Sequence, residues 1–268
     1  MRAGIAVALL AALAAGCGTH APVVPPSAAV SASSAAPAAR GGAAAASASS
    51  SVVPAPANPA FASVLPLLRG AGPTVYLPAW LPAPAAGQAF DLTGQADATS
   101  YQVSIAEGAA PAAAQDLPDA PQAAQIAALA GGAPAALPAA PSFQPLSGGG
   151  QAVALGGGLQ ATYYAQPQSG TFSLLQWQQE GWTFQVADVT GLGAGAAALT
   201  TYARGLASAV PAGQTPVPGV GSGDVVQTLD ADGAPTWVLW QQGQWSYQLE
   251  ASNGPALPIA ASMTRVAP

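Results

Sequence analysis

This chain predicts an α+β fold: an antiparallel sheet built from a repeated three-strand-plus-helix unit, with helices packed on one face. Three observations lead there. Residues 177–186 read WQQEGWTFQV and residues 240–249 read WQQGQWSYQL, a repeat at a spacing of 63 that needs no gap. Self-similarity of this kind marks a structural unit used twice. Each copy alternates apolar and polar side chains about a glycine-containing turn, the pattern of a hairpin with one buried face. Each copy is then followed by apolar residues at helical spacing. These are Leu199, Tyr202, Ala203, Leu206 and Val210 in the first, and Ile259, Ala260, Met263 and Val266 in the second.

Residues 1–16 have the parts of an export signal. Arg2 gives a positive start, and Ala3 to Leu13 form an apolar segment. That segment is too short for a bilayer span of about 20 residues. The small residues Ala14, Ala15 and Gly16 then precede Cys17, the only cysteine of the 268 residues. The arrangement resembles a bacterial lipoprotein signal, with Ala14 where the pattern usually carries Leu. The resemblance implies cleavage before Cys17 and lipidation of its sulfur, palmitate included. It sets the protein on the extracytoplasmic face of the cell membrane, held by acyl chains that give stable attachment. An ordinary secretory signal with an incidental cysteine is the alternative.

Residues 17–59 are dominated by Ala, Ser, Pro, Val and Gly, with no acidic side chain and no aromatic before Phe61. No period of 3.6 or 2 offers a face to bury, so the stretch is expected to be a disordered tether. Residues 60–158 form the N-terminal part of the folded region, with Pro/Gly-rich loops. Phe61 to Leu68 is expected to be helical, and Thr74 to Pro84 extended because its prolines forbid a helix. Ala89 to Leu92 and Thr99 to Ala106 are expected to pair as a hairpin, since Tyr101, Val103 and Ile105 alternate. Ala120 to Ala130 reads as a short helix. These strands are expected to join the same sheet as a divergent or incomplete third unit.

Residues 159–211 and 222–268 are the two repeats. Glu180-Gly181 suits a type I′ turn and Gly243-Gln244 a type II′ turn. A two-residue turn fixes the register, so Trp177 should face Phe184 and Leu175 should face Val186. In the second copy Trp240 should face Tyr247, and Val238 should face Leu249. One face then collects Leu175, Trp177, Trp182, Phe184 and Val186, and the other Leu174, Gln176, Gln178, Thr183 and Gln185. The second copy sorts likewise, with Gln241, Ser246, Gln248 and Glu250 opposite the aromatic face. Preceding strands are expected over Gln160–Gln166 and Val225–Leu229, and following helices over Ala196–Val210 and Ala256–Val266.

The strand–turn–strand–helix pattern with Tyr202-Ala203-Arg204-Gly205-Leu206 or Ile259-Ala260-Ala261-Ser262-Met263 is similar to an uncharacterised extracytoplasmic domain. That domain occurs in Gram-positive lipoproteins and at the outer end of membrane-bound anti-sigma regulators. Leu77 to Pro82, LPAWLP, resembles the segment that often opens it. The resemblance covers about half the chain, mainly Trp177–Val210 and Trp237–Val266. It implies a sensory or regulatory accessory role and carries no activity. The membrane helix and cytoplasmic part of those regulators have no counterpart in this sequence.

Charge is scarce: eleven Asp and Glu stand against five Arg, and Lys is absent. Removal of Arg2 with the signal leaves four basic residues. This balance argues against nucleic acid and against electrostatic docking on anionic lipid. His20, in the tether, is the only histidine. A Ser-His-Asp triad, a His-based zinc site, a Cys–His pair and lysine nucleophile chemistry are thereby excluded from the folded part. No catalytic residue, metal or cofactor is assigned.

Gly191-Leu192-Gly193-Ala194-Gly195-Ala196 has the G-x-G-x-x-A form of a dinucleotide fingerprint. Its incoming strand belongs to an antiparallel hairpin, and no acidic residue follows at about twenty positions, so a linker is expected. Asp230-Ala231-Asp232-Gly233 lacks further carboxylates before Glu250, so a polar turn is expected rather than a calcium loop. Trp237 and Leu239 fall on the hairpin face opposite the other aromatics. They either pack on the N-terminal region or form a binding patch, and Trp80 has the same ambiguity.

The reading is a lipid-anchored cell-surface protein acting as a non-enzymatic binding or interaction module. Its partners are the membrane, through the lipid, and envelope protein or polysaccharide. The alternatives are the regulatory accessory and, more distantly, a glycan hydrolase working through two carboxylates.

Overall fold

The backbone ladder of this protein is dominated by one sheet of ten strands. A computed structural model describes residues 58–109, 124–143, 149–165, 173–189, 194–229, 234–252 and 255–267. Cys17, the tether and the signal lie outside them, as do 190–193 and 230–233. The strands are β1 (Val75–Pro78), β2 (Gln88–Ala96), β3 (Ser100–Ala109), β4 (Ala124–Gly132), β5 (Gln151–Gly156) and β6 (Leu159–Ala165). They continue with β7 (Ser173–Gln179), β8 (Trp182–Asp188), β9 (Gly223–Leu229), β10 (Thr236–Gln242), β11 (Trp245–Ala251) and β12 (Met263–Val266). The order across the large sheet is β2-β3-β4-β11-β10-β9-β8-β7-β6-β5, and β1 pairs with β12 in a separate two-stranded sheet.

This corrects the expected fold class. Of the described residues 48% are strand and 18% helix, so the protein is mostly β rather than α+β with helices packed on a sheet face. The described residues hold two α-helices, α1 (Ala196–Ala209) and α2 (Ala256–Ala261), too little helix to form the expected layer. The large sheet is also mixed, because β8 and β9 run parallel.

Two segments account for most of the lost helix. The alanine-rich stretch expected as a helix over 120–130 is strand β4 where it is described. Alanine propensity favours a helix, but here Ala127, Leu129 and Gly131 alternate onto the core face between β3 and β11. The second helix stops at Ala261, because Met263–Val266 pairs antiparallel with Val75–Pro78. Phe61–Leu68 is two 3-10 turns, Pro59–Ser63 and Leu65–Leu68, rather than an α-helix.

Both repeat hairpins take the register set by their turns. Trp177 faces Phe184 and Leu175 faces Val186; Trp240 faces Tyr247 and Val238 faces Leu249. Glu180 and Gly181 both have positive φ, 51° and 81°, and Gly243 has φ 63°. In each copy the cross-strand aromatic pair stacks, with centroids 5.0 Å apart for Trp177–Phe184 and 5.3 Å for Trp240–Tyr247. Such pairs add about 0.5–1.5 kcal/mol beyond their burial.

The core runs along one face of the sheet. In register it passes from Val103 through Leu129, Leu249, Val238, Val225 and Phe184 to Trp177, all buried. Tyr76 of β1 meets this face, edge-on to Trp240 and Tyr247. In the first helix Leu199, Ala203 and Ala207 are buried, whereas Tyr202 of the expected stripe is exposed.

Tyr101 is buried in that core. Its hydroxyl accepts from the Tyr76 backbone N–H at 3.1 Å and donates to the Tyr76 carbonyl at 3.4 Å. Burial pushes its pKa well above the ordinary tyrosine value. Above about pH 10 the unfolded chain releases this proton while the folded protein keeps it, so stability falls as pH rises. Urea midpoints are expected to drop between pH 9.5 and 11.5. Tyr101→Phe should lessen that slope by about 1.4 kcal/mol per pH unit, the share of one proton. An unaltered slope in the variant would refute the assignment.

Candidate functional site

The sheet face opposite the core is lined by neutral hydrogen-bonding side chains. Alternation puts Gln102 and Ser104 of β3, Ser246 and Gln248 of β11, Gln241 of β10, Thr183 and Gln185 of β8, and Gln176 and Gln178 of β7 on this face. Several are tied to one another. Gln178 donates to Thr183 at 2.9 Å, and Gln185 to Gln176 at 3.3 Å.

A proline-rich strap crosses this face. β4 is third in the sheet and β5 is tenth, and the described chain after β4, residues 133–143, runs over the outer face of strands that lie between them. It leaves β4 with the Ala133 N–H on the Thr99 carbonyl and makes a short 3-10 turn at Pro134–Ala136. Farther along, the Phe143 carbonyl accepts from the Gln185 amide at 2.7 Å, which fixes the strap over β8. Pro134, Pro138 and Pro141 have no N–H to satisfy, so the segment can lie across strands whose own backbone groups are already paired.

Between strap and sheet is a groove of about 570 Å³. Leu137, Pro138 and Ala140 form its strap side; Leu239, Thr183, Asp224, Gln241, Ser246 and Gln248 form its sheet side. Leu239 is half-buried, Gln248 is buried, and Asp224 and Gln241 are exposed. A smaller recess of about 230 Å³ lies beyond Leu137 and Pro138, lined by Gln95, Asp97, Ser100 and Gln102. Hydrogen bonds from the Thr99 side chain and from the Thr99 and Ser100 amides hold the Asp97 carboxyl below the usual carboxylate range.

The three residues of the expected patch are not brought together. Trp237 and Leu239 both lie on the outer face, half-buried, and only Leu239 lines the groove. Trp80 is exposed but follows β1, with its N–H on Ser262 Oγ at 3.1 Å. It belongs to the layer that carries Tyr76 against the core face. The amides and hydroxyls of the outer face were visible in the alternation of the hairpins. The strap that turns them into a groove was not.

Other expected sites are modified. The glycine-rich segment 191–193 lies outside the described residues, but its surroundings correct one expectation. β8 and β9 are parallel and α1 lies between them in the chain, so the segment stands within a strand–helix–strand crossover. The approach to α1 is tied back to β8 and β7. Asp188 is buried and accepts from the Ala194 N–H at 2.8 Å, and Ser173 Oγ donates to the Ala194 carbonyl at 2.9 Å. This bond holds the residue just before the N-cap Gly195, and the helix itself has no side-chain cap. The Asp230–Gly233 turn and His20 lie outside the described residues.

Among the described residues no three of His, Cys, Asp and Glu stand close enough to hold a metal, and no helix is long and apolar enough to cross a membrane. Among the described residues Asp224 is the one acidic side chain lining the large groove. No family model, no curated protein and no solved structure matches this chain.

Proposed function

We propose that this protein is a lipid-anchored, non-enzymatic binding module on the extracytoplasmic face of the cell membrane, carried through Cys17 and a tether over 17–59. One observation carries the binding role: the groove where the strap crosses the outer face at Leu239. Backbone groups in the inner strands are consumed by the ladder, so recognition there falls to side chains. The lining combines an apolar floor with convergent amides and hydroxyls, the usual make-up of a ligand site. The regulatory reading is supported only by the likeness of Leu77–Pro82 and the two hairpin–helix segments to the anti-sigma outer domain.

Attachment and binding are tested separately. Cys17→Ser is expected to abolish lipid labelling and release most of the protein from the membrane fraction; unchanged fractionation would overturn the anchor. Leu239→Arg puts a charged chain into the groove. In a Cys17→Ser background, which removes the lipid, retention of the full-length protein on isolated cell-envelope particles is expected to fall at least fivefold. Undiminished retention by a folded variant removes the groove from the function.

A further inference from the structure

We infer that the groove takes a neutral, polyhydroxylated chain, a glycan segment laid across β8 to β11 beside the strap. This rests on the binding-module reading and names its ligand class. The chemistry of the lining comes first. Gln241 and Gln248 bring side-chain amides and Thr183 and Ser246 bring hydroxyls. One Gln241 N–H donates to Ser246 Oγ at 3.5 Å and Thr183 Oγ1 accepts from Gln178, which leaves the second Gln241 N–H and both hydroxyl protons for a ligand. A sugar hydroxyl also donates and accepts, so these groups match it without a net charge on either side.

Charge narrows the class. Among the described residues Asp224 is the only charged side chain of the lining. The described arginines are engaged or placed elsewhere: Arg204 Nη2 donates to the Ala154 carbonyl, Arg265 Nε to the Tyr76 hydroxyl, and Arg69 follows the second 3-10 turn. Among the described residues a nucleic acid, a phosphate-linked polymer or a polyuronate would meet a carboxylate and no cation. A neutral diol, by contrast, can donate two hydrogen bonds to the exposed Asp224 carboxylate.

Shape then distinguishes a glycan from an extended peptide. A peptide strand binds by pairing with open backbone groups at a sheet edge. Here β9 and β10 are interior strands with both neighbours paired, so no edge is available. The apolar C–H faces of sugar rings have a floor in Leu239 and a wall in Leu137 and Pro138. Those two strap residues also border the recess lined by Gln95 and Gln102, so the track continues along the face. Its volume falls within the roughly 300–1,000 Å³ of small-ligand sites, room for a few rings rather than one.

The test uses the full-length lipoprotein in detergent micelles. Neutral hexasaccharides of glucose, mannose, galactose and N-acetylglucosamine are titrated by calorimetry, with a hexauronate as the anionic control. At least one neutral chain is expected to bind, and the hexauronate at least tenfold more weakly. The double variant Gln241→Ala/Asp224→Asn, at two exposed positions, should weaken the neutral chain at least tenfold with an unchanged thermal melt. No binding by any neutral chain, equal binding of the hexauronate, or full affinity in the double variant overturns the inference. Loss of envelope retention by Leu239→Arg without neutral-glycan binding would leave a binding module for another ligand. Undiminished retention in that variant would fail the module reading itself.

Discussion

Trp182→Ala is expected to destabilise the folded unit by about 4 kcal/mol, at the upper end of what a single truncation does. Trp182 is the largest fully buried side chain. It opens β8 at the parallel junction, and its Nε1 donates to the Val220 carbonyl at 3.3 Å. Its ring lies directly on the backbone of β9: a Cβ built on Gly223 would fall 2.5 Å from it. Truncation leaves a cavity the size of an indole and strips a buried carbonyl of its donor. Trp245 occupies the same place in the second repeat but is only half-buried. β4 ends at Gly132, opposite Ser246, so Trp245 extends past the last residue of its neighbour. Trp245→Ala should therefore cost about 2 kcal/mol or less. Urea unfolding of both variants checks this; equal losses would show that the two copies are energetically equivalent.

Gly131→Val is expected to cost about 3 kcal/mol or more, or to prevent folding. Gly131 lies in register between Tyr101 of β3 and Tyr247 of β11. A Cβ there would lie 2.4 Å from Tyr101 Cε1 and 2.7 Å from Tyr247 Cδ1. Neither ring is free to yield. Tyr101 is bound through its hydroxyl to the backbone of Tyr76, and Tyr247 is stacked on Trp240 and met edge-on by Tyr76. The cost is one of space. Gly157 is the contrasting case: nothing lies within 4 Å of its Cβ position, and its φ of 59° alone penalises a side chain. Gly157→Val should therefore cost about 1–2 kcal/mol, below Gly131→Val, when the two are compared by urea midpoints.

The hairpins were legible because two local rules agree in them. A two-residue turn sets which residues face each other, and strict alternation sets which face they share, so the Trp177–Phe184 and Trp240–Tyr247 pairs follow from a few residues. β4 was not legible, because alanine and leucine favour a helix in isolation and only the tyrosines on either side make a strand of 124–132. β12 was hidden for a different reason. Met263 and Val266 continue a helical stripe from Ile259, and the competing partner, Val75–Pro78, is far away in the chain.

The parallel contact of β8 with β9 depends on which edges of the two repeat units meet, and no feature within either motif encodes that. The candidate site divides the same way. Its glutamines and threonines were sorted correctly to the outer face, but the strap read only as a proline-rich loop.

The pairing of β1 with β12 has a kinetic consequence. Val75 meets Val266 and Pro78 meets Met263, while β4 waits for β11. Neither ladder can form until the distant partners β11 and β12 are present, and closing such long loops is entropically costly. Topologies dominated by distant pairings fold slowly, on a scale of milliseconds to seconds or longer. The local hairpins can form early, but Tyr76 reaches Trp240 and Tyr247 only when the C-terminal strand arrives to hold it. Met263–Val266 thus acts as the latch of Val75–Pro78, and a chain interrupted before Met263 leaves β1 without its partner.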